Sequence, residues 1–193
     1  MTMMSTMAAS LVLAGAPGTS TWSLDVTHAE LGFKVRHMMV SWTRGTFDRF
    51  SGTLELDEKD VSKSKVSVSI EVASVNTKVK ERDDHLRGPD FFDVEKHPTM
   101  TFTSTGFAQK NGRLEVTGQL TIRGVSRKVV LDADPFPAAV KDPWGKWRTG
   151  TRATTKLSRK DFGLTWNKAL EAGGVAVGDE VELGLDVEFI RQG

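Results

Sequence analysis

Apolar and polar residues alternate with a period of two along most of this chain. The clearest run is Lys65 to Ala73, where Val66, Val68, Ile70 and Val72 are separated by Ser67, Ser69 and Glu71. A period of two puts successive side chains on opposite faces, which marks a half-buried strand. The same pattern recurs at Leu31/Phe33/Val35/His37, Leu54/Leu56, Thr101/Phe102/Thr103 and Leu114/Val116/Gly118/Leu120/Ile122. It returns at Val129/Leu131, through the Thr-rich stretch Arg148 to Leu157, and at Val181/Leu183/Leu185/Val187/Phe189. Turn signals at Asn111-Gly112, Arg123-Gly124, Asp142-Pro143 and Gly178-Asp179 separate many of these segments. About eight or nine short strands joined in this way predict an all-β antiparallel sandwich or closed barrel rather than an alternating βαβ sheet. There is no internal repeat and no linker, so a single domain is expected over residues 22–191.

Two stretches break the alternation. Between Ser74 and Pro98, Val79, Asp83 and Leu86 stand at helical spacing in a charge-dense segment that Gly88-Pro89 ends. One short helix followed by a long loop is predicted there, and a connection of this length in a compact β fold is a typical place for a lid or binding loop. Gly163 to Gly178 is the second irregular segment, with Trp166 and Leu170 placed to pack on the strands. At the amino terminus, Met7 to Ala16 is a short apolar run ending in small residues. No Lys or Arg precedes it and Pro17 follows the expected cleavage point, so residues 1–21 read as an unprocessed flexible leader or a degenerate signal segment, and the poor signal favours the cytoplasm over the periplasm while leaving the compartment open.

Composition narrows the function. Of the 193 residues 38% are hydrophobic and 26% charged, and the formal net charge of +1 argues against both disorder and a polyanion-binding surface, so nucleic acid is not expected as a partner. The chain has no cysteine, which removes disulfides, thiol nucleophiles and zinc ribbons. Gly173-Gly174 lacks the lysine and the strand-to-helix setting of a phosphate loop, and no activated serine elbow is present.

The order of short motifs is recognisable. Leu24-Asp25-x-x-His28, Phe33-Lys34-Val35-Arg36-His37, Gly45-x-Phe47 and Ser74-Val75-x-Thr77 are followed by Arg82-Asp83-x-His85-Leu86-Arg87 and Asp90-Phe91-Phe92-Asp93. His97-Pro98-x-Met100-x-Phe102, Gly118-x-Leu120-Thr121-Ile122-Arg123-Gly124, Arg159-x-Asp161-Phe162-Gly163-Leu164-x-Trp166-Asn167 and Gly178-Asp179-Glu180-Val181 complete the series. Together they closely resemble the YceI-like family of polyisoprenoid-binding proteins, over nearly everything from Trp22 to Phe189. The resemblance implies an extended, lipocalin-like, eight-stranded antiparallel barrel with one or two short helices. It further implies a polyisoprenoid chain held in the interior, a homodimer, and no catalytic activity or cofactor beyond the bound lipid. This chain departs from the pattern in having no tyrosine and in carrying Met38-Met39 where smaller aliphatic residues would be unremarkable.

An eight-stranded barrel is either filled by side chains or holds one small ligand. The 10 Phe, 7 Met and 5 Trp suit an adaptable apolar lumen. With the resemblance, they point as a set to Phe33, Val35, Phe47, Phe91, Phe92, Phe102, Trp144, Trp147, Phe162 and Trp166 as ligand-lining residues, although each taken alone reads first as core. A head group, either the phosphate of a polyprenyl phosphate or the ring of an isoprenoid quinone, needs polar partners at a mouth. His37, Arg82, Asp83, His85 and Arg87 are the candidates, and His37 shares the parity of Phe33 and Val35. Arg82 and Asp83 read equally as a salt-bridged pair that fixes the loop. The ligand would be released at a membrane or to an enzyme, which implies transient membrane contact. The alternative function is an enzyme or stress-response factor acting on an isoprenoid or quinone through His37, Asp83 and His85.

Overall fold

The computed structural model describes residues 18–171 and 173–193. Its strands are β1 (Thr19–Leu24), β2 (Glu30–His37), β3 (Ser41–Phe47), β4 (Phe50–Asp57), β5 (Lys65–Glu71) and β6 (Val75–Asn76), then, after the helix α1 (Lys80–Arg87), β7 (Thr99–Lys110), β8 (Arg113–Ile122), β9 (Val125–Ala133), β10 (Val140–Lys141), β11 (Trp147–Ser158) and β12 (Val177–Arg191). All pairings are antiparallel. The cycle β1-β4-β5-β7-β8-β9-β11-β12 returns to β1 and closes an eight-stranded barrel, as the alternation predicts.

Strand β12 sets the shape of the barrel. One of its edges pairs with β11 from Glu180 to Ile190. The other edge is divided: Phe189 to Arg191 pair with β1, and Val177 to Asp186 pair with β2. From β2 the sheet continues through β3 to β6, outside the closed cycle. The barrel wall is therefore completed by β1 at one end and by the β2-β3-β6 flap at the other.

Side chains fill the β1 end. Trp22, Leu54 and Leu114 are almost wholly buried there, together with Phe107, Val116 and Phe189. The Trp22 Nε1–H donates to Ser20 Oγ at 2.7 Å, so the indole is buried without losing its polar partner. The alternation does not mark β1 or β3 as strands. The inward positions of β1 are Ser20, Trp22 and Leu24, so a serine interrupts the apolar row, and β3 buries only Gly45 and Phe47. Strand β1 also begins at Thr19, inside the segment set aside as leader, while the remainder of that expectation, residues 1–17, lies outside the described residues.

Phe102 sits between the two ends. A Cβ added at Gly118 would lie 2.4 Å from Phe102 Cζ and 2.7 Å from the Thr103 carbonyl oxygen, so the missing side chain of Gly118 is the space the ring occupies. Around the filled end, the Arg148 guanidinium donates to Asp25 at 2.6 Å, to Glu188 at 2.5 Å and to Asp142 at 2.7 Å. Asp25, His28 and Glu188 converge closely enough to suggest a metal site, but the guanidinium already lies between the two carboxylates and neutralises them. Burial alone would raise the Asp25 pKa. Hydrogen bonds from Thr27, His28 and Arg148 outweigh burial and hold the carboxyl well below the usual carboxylate range.

Gly118→Ala must displace Phe102 or the β7 backbone, and it is expected to lower unfolding free energy by about 1–3 kcal/mol in a denaturant titration. The depressed folded-state pKa of Asp25 means that its contribution to stability is complete above its unfolded value, about 3.9, and is lost as pH falls below it. Asp25→Asn should therefore lower Tm at neutral pH and make Tm fall less steeply below about pH 4 than in the parent protein.

Candidate apolar binding cavity

Because β2 diverges from the closed cycle, the end of the barrel away from β1 is hollow. It contains a cavity of about 330 Å³. Leu31, Phe33 and Val35 form one wall from alternate positions of β2, and Val181, Leu183 and Leu185 continue it on β12. Ile70 on β5, Met100 on β7, and Leu120 and Ile122 on β8 form the opposite wall. Leu86 of α1 and Phe91 and Phe92 just after it supply the roof, joined by Phe162, Leu164 and Trp166 from the loop that precedes β12.

The aromatic rings are in contact with one another. Phe33 and Phe47 have centroids 5.7 Å apart, and Phe47 meets Phe92 at 5.8 Å. Gly45 makes this possible, since a Cβ there would fall 2.5 Å from Phe33 Cζ. On the other side, His85 stands edge-on to Phe91 at 5.0 Å and to Trp166 at 4.9 Å.

The roof is held by buried polar contacts, and Thr77 is their centre. Its backbone N–H and its hydroxyl both donate to Asp83 Oδ1, at 2.8 and 2.5 Å. Arg82 donates from Nε to the Thr77 hydroxyl oxygen at 2.7 Å and from Nη2 to the Thr77 carbonyl at 2.8 Å. Arg82 and Asp83 are thus joined through Thr77 and not by an ion pair of their own. Arg87 fastens the other end of α1 by donating to the carbonyls of Ala73 at 2.8 Å and Val75 at 2.9 Å. The loop before β12 is held by Arg159, which is 5% exposed and donates to the carbonyls of Gly178, Leu164 and Trp166 at 2.9, 2.5 and 2.8 Å. Burial lowers the pKa of this guanidinium from its ordinary value, with Asp179 opposing the change.

The candidate residues fall into two groups. Phe33, Val35, His37, Phe47, Arg82, His85, Phe91, Phe92, Phe162 and Trp166 all line the cavity, with His37 exposed at its rim. Asp83, Arg87, Phe102, Trp144 and Trp147 are outside the lining. Asp83 and Arg87 are committed to the contacts that seat α1, and the Phe102 ring is committed to Gly118. Trp144 and Trp147 are 82% and 41% exposed, on the β10–β11 hairpin. Trp147 precedes the lining residue Leu157 by ten positions along β11, about 33 Å at ~3.3 Å per residue, so it belongs to the opposite end of the barrel. His85 pairs through Nε2 with Asp90 at 2.9 Å and has no hydrogen bond to Asp83 among the described residues.

Sequence reasoning did not single out Ile70, Met100, Leu120, Ile122 or the β12 row as lining. Their alternation marked strands, but an aliphatic side chain facing a cavity and one facing a filled core have the same period. Arg36 was also missed as a lining residue, because its parity on β2 assigns it to the outer face.

Comparison with known proteins gives a consistent result. The YceI-like domain matches residues 22–189. Protein YceI of Salmonella newport is 38% identical, covering 97% of this chain and 95% of the relative, and a UPF0312 protein of Photorhabdus laumondii is 36% identical with the same coverage. The crystal structure of a Campylobacter jejuni YceI protein has a TM-score of 0.69 at 34% identity, covering 83% of this chain and 91% of that one. A structure described as a polyisoprenoid binding domain from Saccharophagus degradans shares the fold, with a TM-score of 0.64 at 17% identity, covering 89% of this chain and 98% of that one. The sequence from Trp22 to Phe189, the closed eight-stranded barrel and the hollow end beneath α1 place this chain in the YceI-like domain family.

Proposed function

We propose that this protein binds a polyisoprenoid lipid, a polyprenyl phosphate or an isoprenoid quinone, in the cavity beneath α1 and holds it without covalent chemistry. The observation that carries this reading is a cavity of about 330 Å³ with aliphatic and aromatic walls, whose charged lining residues gather where β2, α1 and the loop before β12 meet. An isoprenoid tail gains about 0.8 kcal/mol for each CH₂ taken from water, so a few isoprene units supply ample affinity. The volume is near the lower end of the roughly 300–1,000 Å³ typical of ligand pockets, so the first units of a chain are enclosed and a longer tail displaces the Phe91–Phe92 roof.

Head-group selection falls to His37, Arg82 and His85. Arg82 keeps Nη1 without a hydrogen bond among the described residues after Nε and Nη2 are used on Thr77. His85 has its Nε2 on Asp90 and its ring between Phe91 and Trp166, so its other nitrogen is available at the aromatic edge of the cavity. A guanidinium suits a phosphate and an imidazole suits a quinone carbonyl. The polyisoprenoid-binding description of the Saccharophagus degradans domain supports the ligand class, and the apolar walls support a long hydrocarbon over a polar metabolite.

The test is extraction under denaturing conditions, followed by mass spectrometry, of protein purified without detergent. An isoprenoid mass series in near-stoichiometric amount is expected. Leu185→Trp, which places an indole in the lumen, should remove it, and His85→Ala should keep a bound tail while changing the ratio of head groups. An empty spectrum together with failure to take up added polyprenyl phosphate or isoprenoid quinone would refute the proposal.

A further inference from the structure

The turn joining β2 to β3 is built from residues that do not suit it. The Val40 N–H donates to the His37 carbonyl at 3.1 Å, and Met38 and Met39 between them have φ of +49° and +61°. With that hydrogen bond, two consecutive positive φ values make His37–Val40 a type I′ turn, for which Asn-Gly is the favoured pair and in which a side chain beyond Cβ is a liability. Here both positions carry methionine, and the apolar side chains project outward: Met38, Met39 and Val40 are 44%, 57% and 80% exposed. The strained, exposed tip stands at the rim of the cavity, one residue beyond His37.

The flanks of this tip carry positive charge. Residues 34–44 contain Lys34, Arg36 and Arg44, with no Asp or Glu, in a chain whose net charge is only +1. On the outer face, Arg36 lies 4.3 Å and Lys34 4.7 Å from the ring of Trp42. Lys34 stands directly opposite Arg44, a like-charge pair that costs stability, and the partner that relieves it is Glu182, 2.8 Å from Lys34. Arg36 and Arg44 make no ion pair among the described residues. Lys168 also makes none, and its carbonyl accepts from Ala176, whose own carbonyl accepts from Met38. The acid on that neighbouring loop is Glu171.

We propose that the β2–β3 hairpin is a membrane-docking element that inserts Met38, Met39 and Val40 into an anionic bilayer, with Trp42 at the interface and Arg36, Arg44 and Lys168 against lipid phosphates. The apolar tip gains by burial in acyl chains, the indole prefers the headgroup level, and unpaired cations are attracted to anionic lipid. This arrangement accounts for three features that cost the free protein stability: methionine in a left-handed turn, an exposed apolar tip and a cationic stretch, residues 34–44, without an acid. It also turns the rim of the cavity toward the lipid phase. The docking goes beyond the carrier function and holds whether or not the cavity takes a lipid.

The test is sedimentation of the full chain with phosphatidylcholine vesicles, with and without phosphatidylglycerol. Binding to the anionic vesicles alone, weakened by salt, is expected. Met38→Asn with Met39→Gly installs the favoured turn pair, so this double variant should melt at the same or a higher temperature while binding at least about tenfold more weakly. Arg36→Gln with Arg44→Gln should reduce the salt dependence. The proposal is overturned if the parent protein ignores anionic vesicles, if the turn variant binds them as well as the parent, or if the turn variant instead dissociates a dimer in light scattering, which would make the tip an interface between copies of this chain. Lipid extraction on the turn variant keeps the two proposals apart, since it reads cavity occupancy independently of vesicle binding.

Discussion

Every backbone N–H and C=O on the edge of β12 needs a partner, and two different strands supply them on its barrel-closing side. A single partner strand would continue the cylinder, and side chains would fill it from end to end. With β1 taking the last three residues of the ladder and β2 taking Val177 to Asp186, the wall at one end is set by the closed cycle and at the other by a flap. Trp22, Leu54 and Leu114 pack solidly in the first region. In the second, the same inward parity on β2, β8 and β12 surrounds empty volume.

That volume is covered by a helix of only eight residues, α1, which carries no apolar stripe long enough to seat it by burial alone. Its attachment is mainly polar. Asp83 holds Thr77, Arg82 brackets the same threonine, and Arg87 reaches the carbonyls of Ala73 and Val75. Arg159 does the same for the neighbouring loop by donating to the carbonyls of Gly178, Leu164 and Trp166. Guanidinium groups used in this way are directional, so they fix where the roof sits while leaving the underside of Phe91 and Phe92 apolar. The division of labour explains why arginines that resemble ligand contacts in the sequence are largely occupied with backbone.

Alternation revealed the strand class, the antiparallel closure and the interruption that contains α1, because each of these has its own period. It did not reveal β1, where Ser20 takes an inward position to receive the Trp22 indole N–H, or β3, where Gly45 gives up its side chain to make room for Phe33. The aromatic half of the lining was legible through the motifs around Phe33, Phe47 and Phe91-Phe92. The aliphatic half was not, because Ile70, Met100 and Leu120 differ from core residues only in what lies beyond their methyl groups. Trp144 and Trp147 show the converse: aromatic identity suggested a lumen, but Asp142 accepts from the backbone N–H groups of Trp144 and Lys146 and anchors Arg148, fixing a hairpin that displays both rings at the far end.

A lipid site differs from a loosely filled core in that a ligand reaches the inner walls of the hollow end. Met100 reports on it directly, since its side chain is 4% exposed and lines the cavity, whereas Met38 and Met39 are exposed at the rim. In protein carrying labelled methionine methyl groups and titrated with a short-chain polyprenyl phosphate, a saturable shift of the Met100 methyl and intermolecular NOEs from it to the isoprenoid methyls are expected. Saturation that moves only the Met38 and Met39 methyls and leaves Met100 unchanged would contradict an interior lipid site, because the lipid would then be held on the surface and the interior would be closed to it.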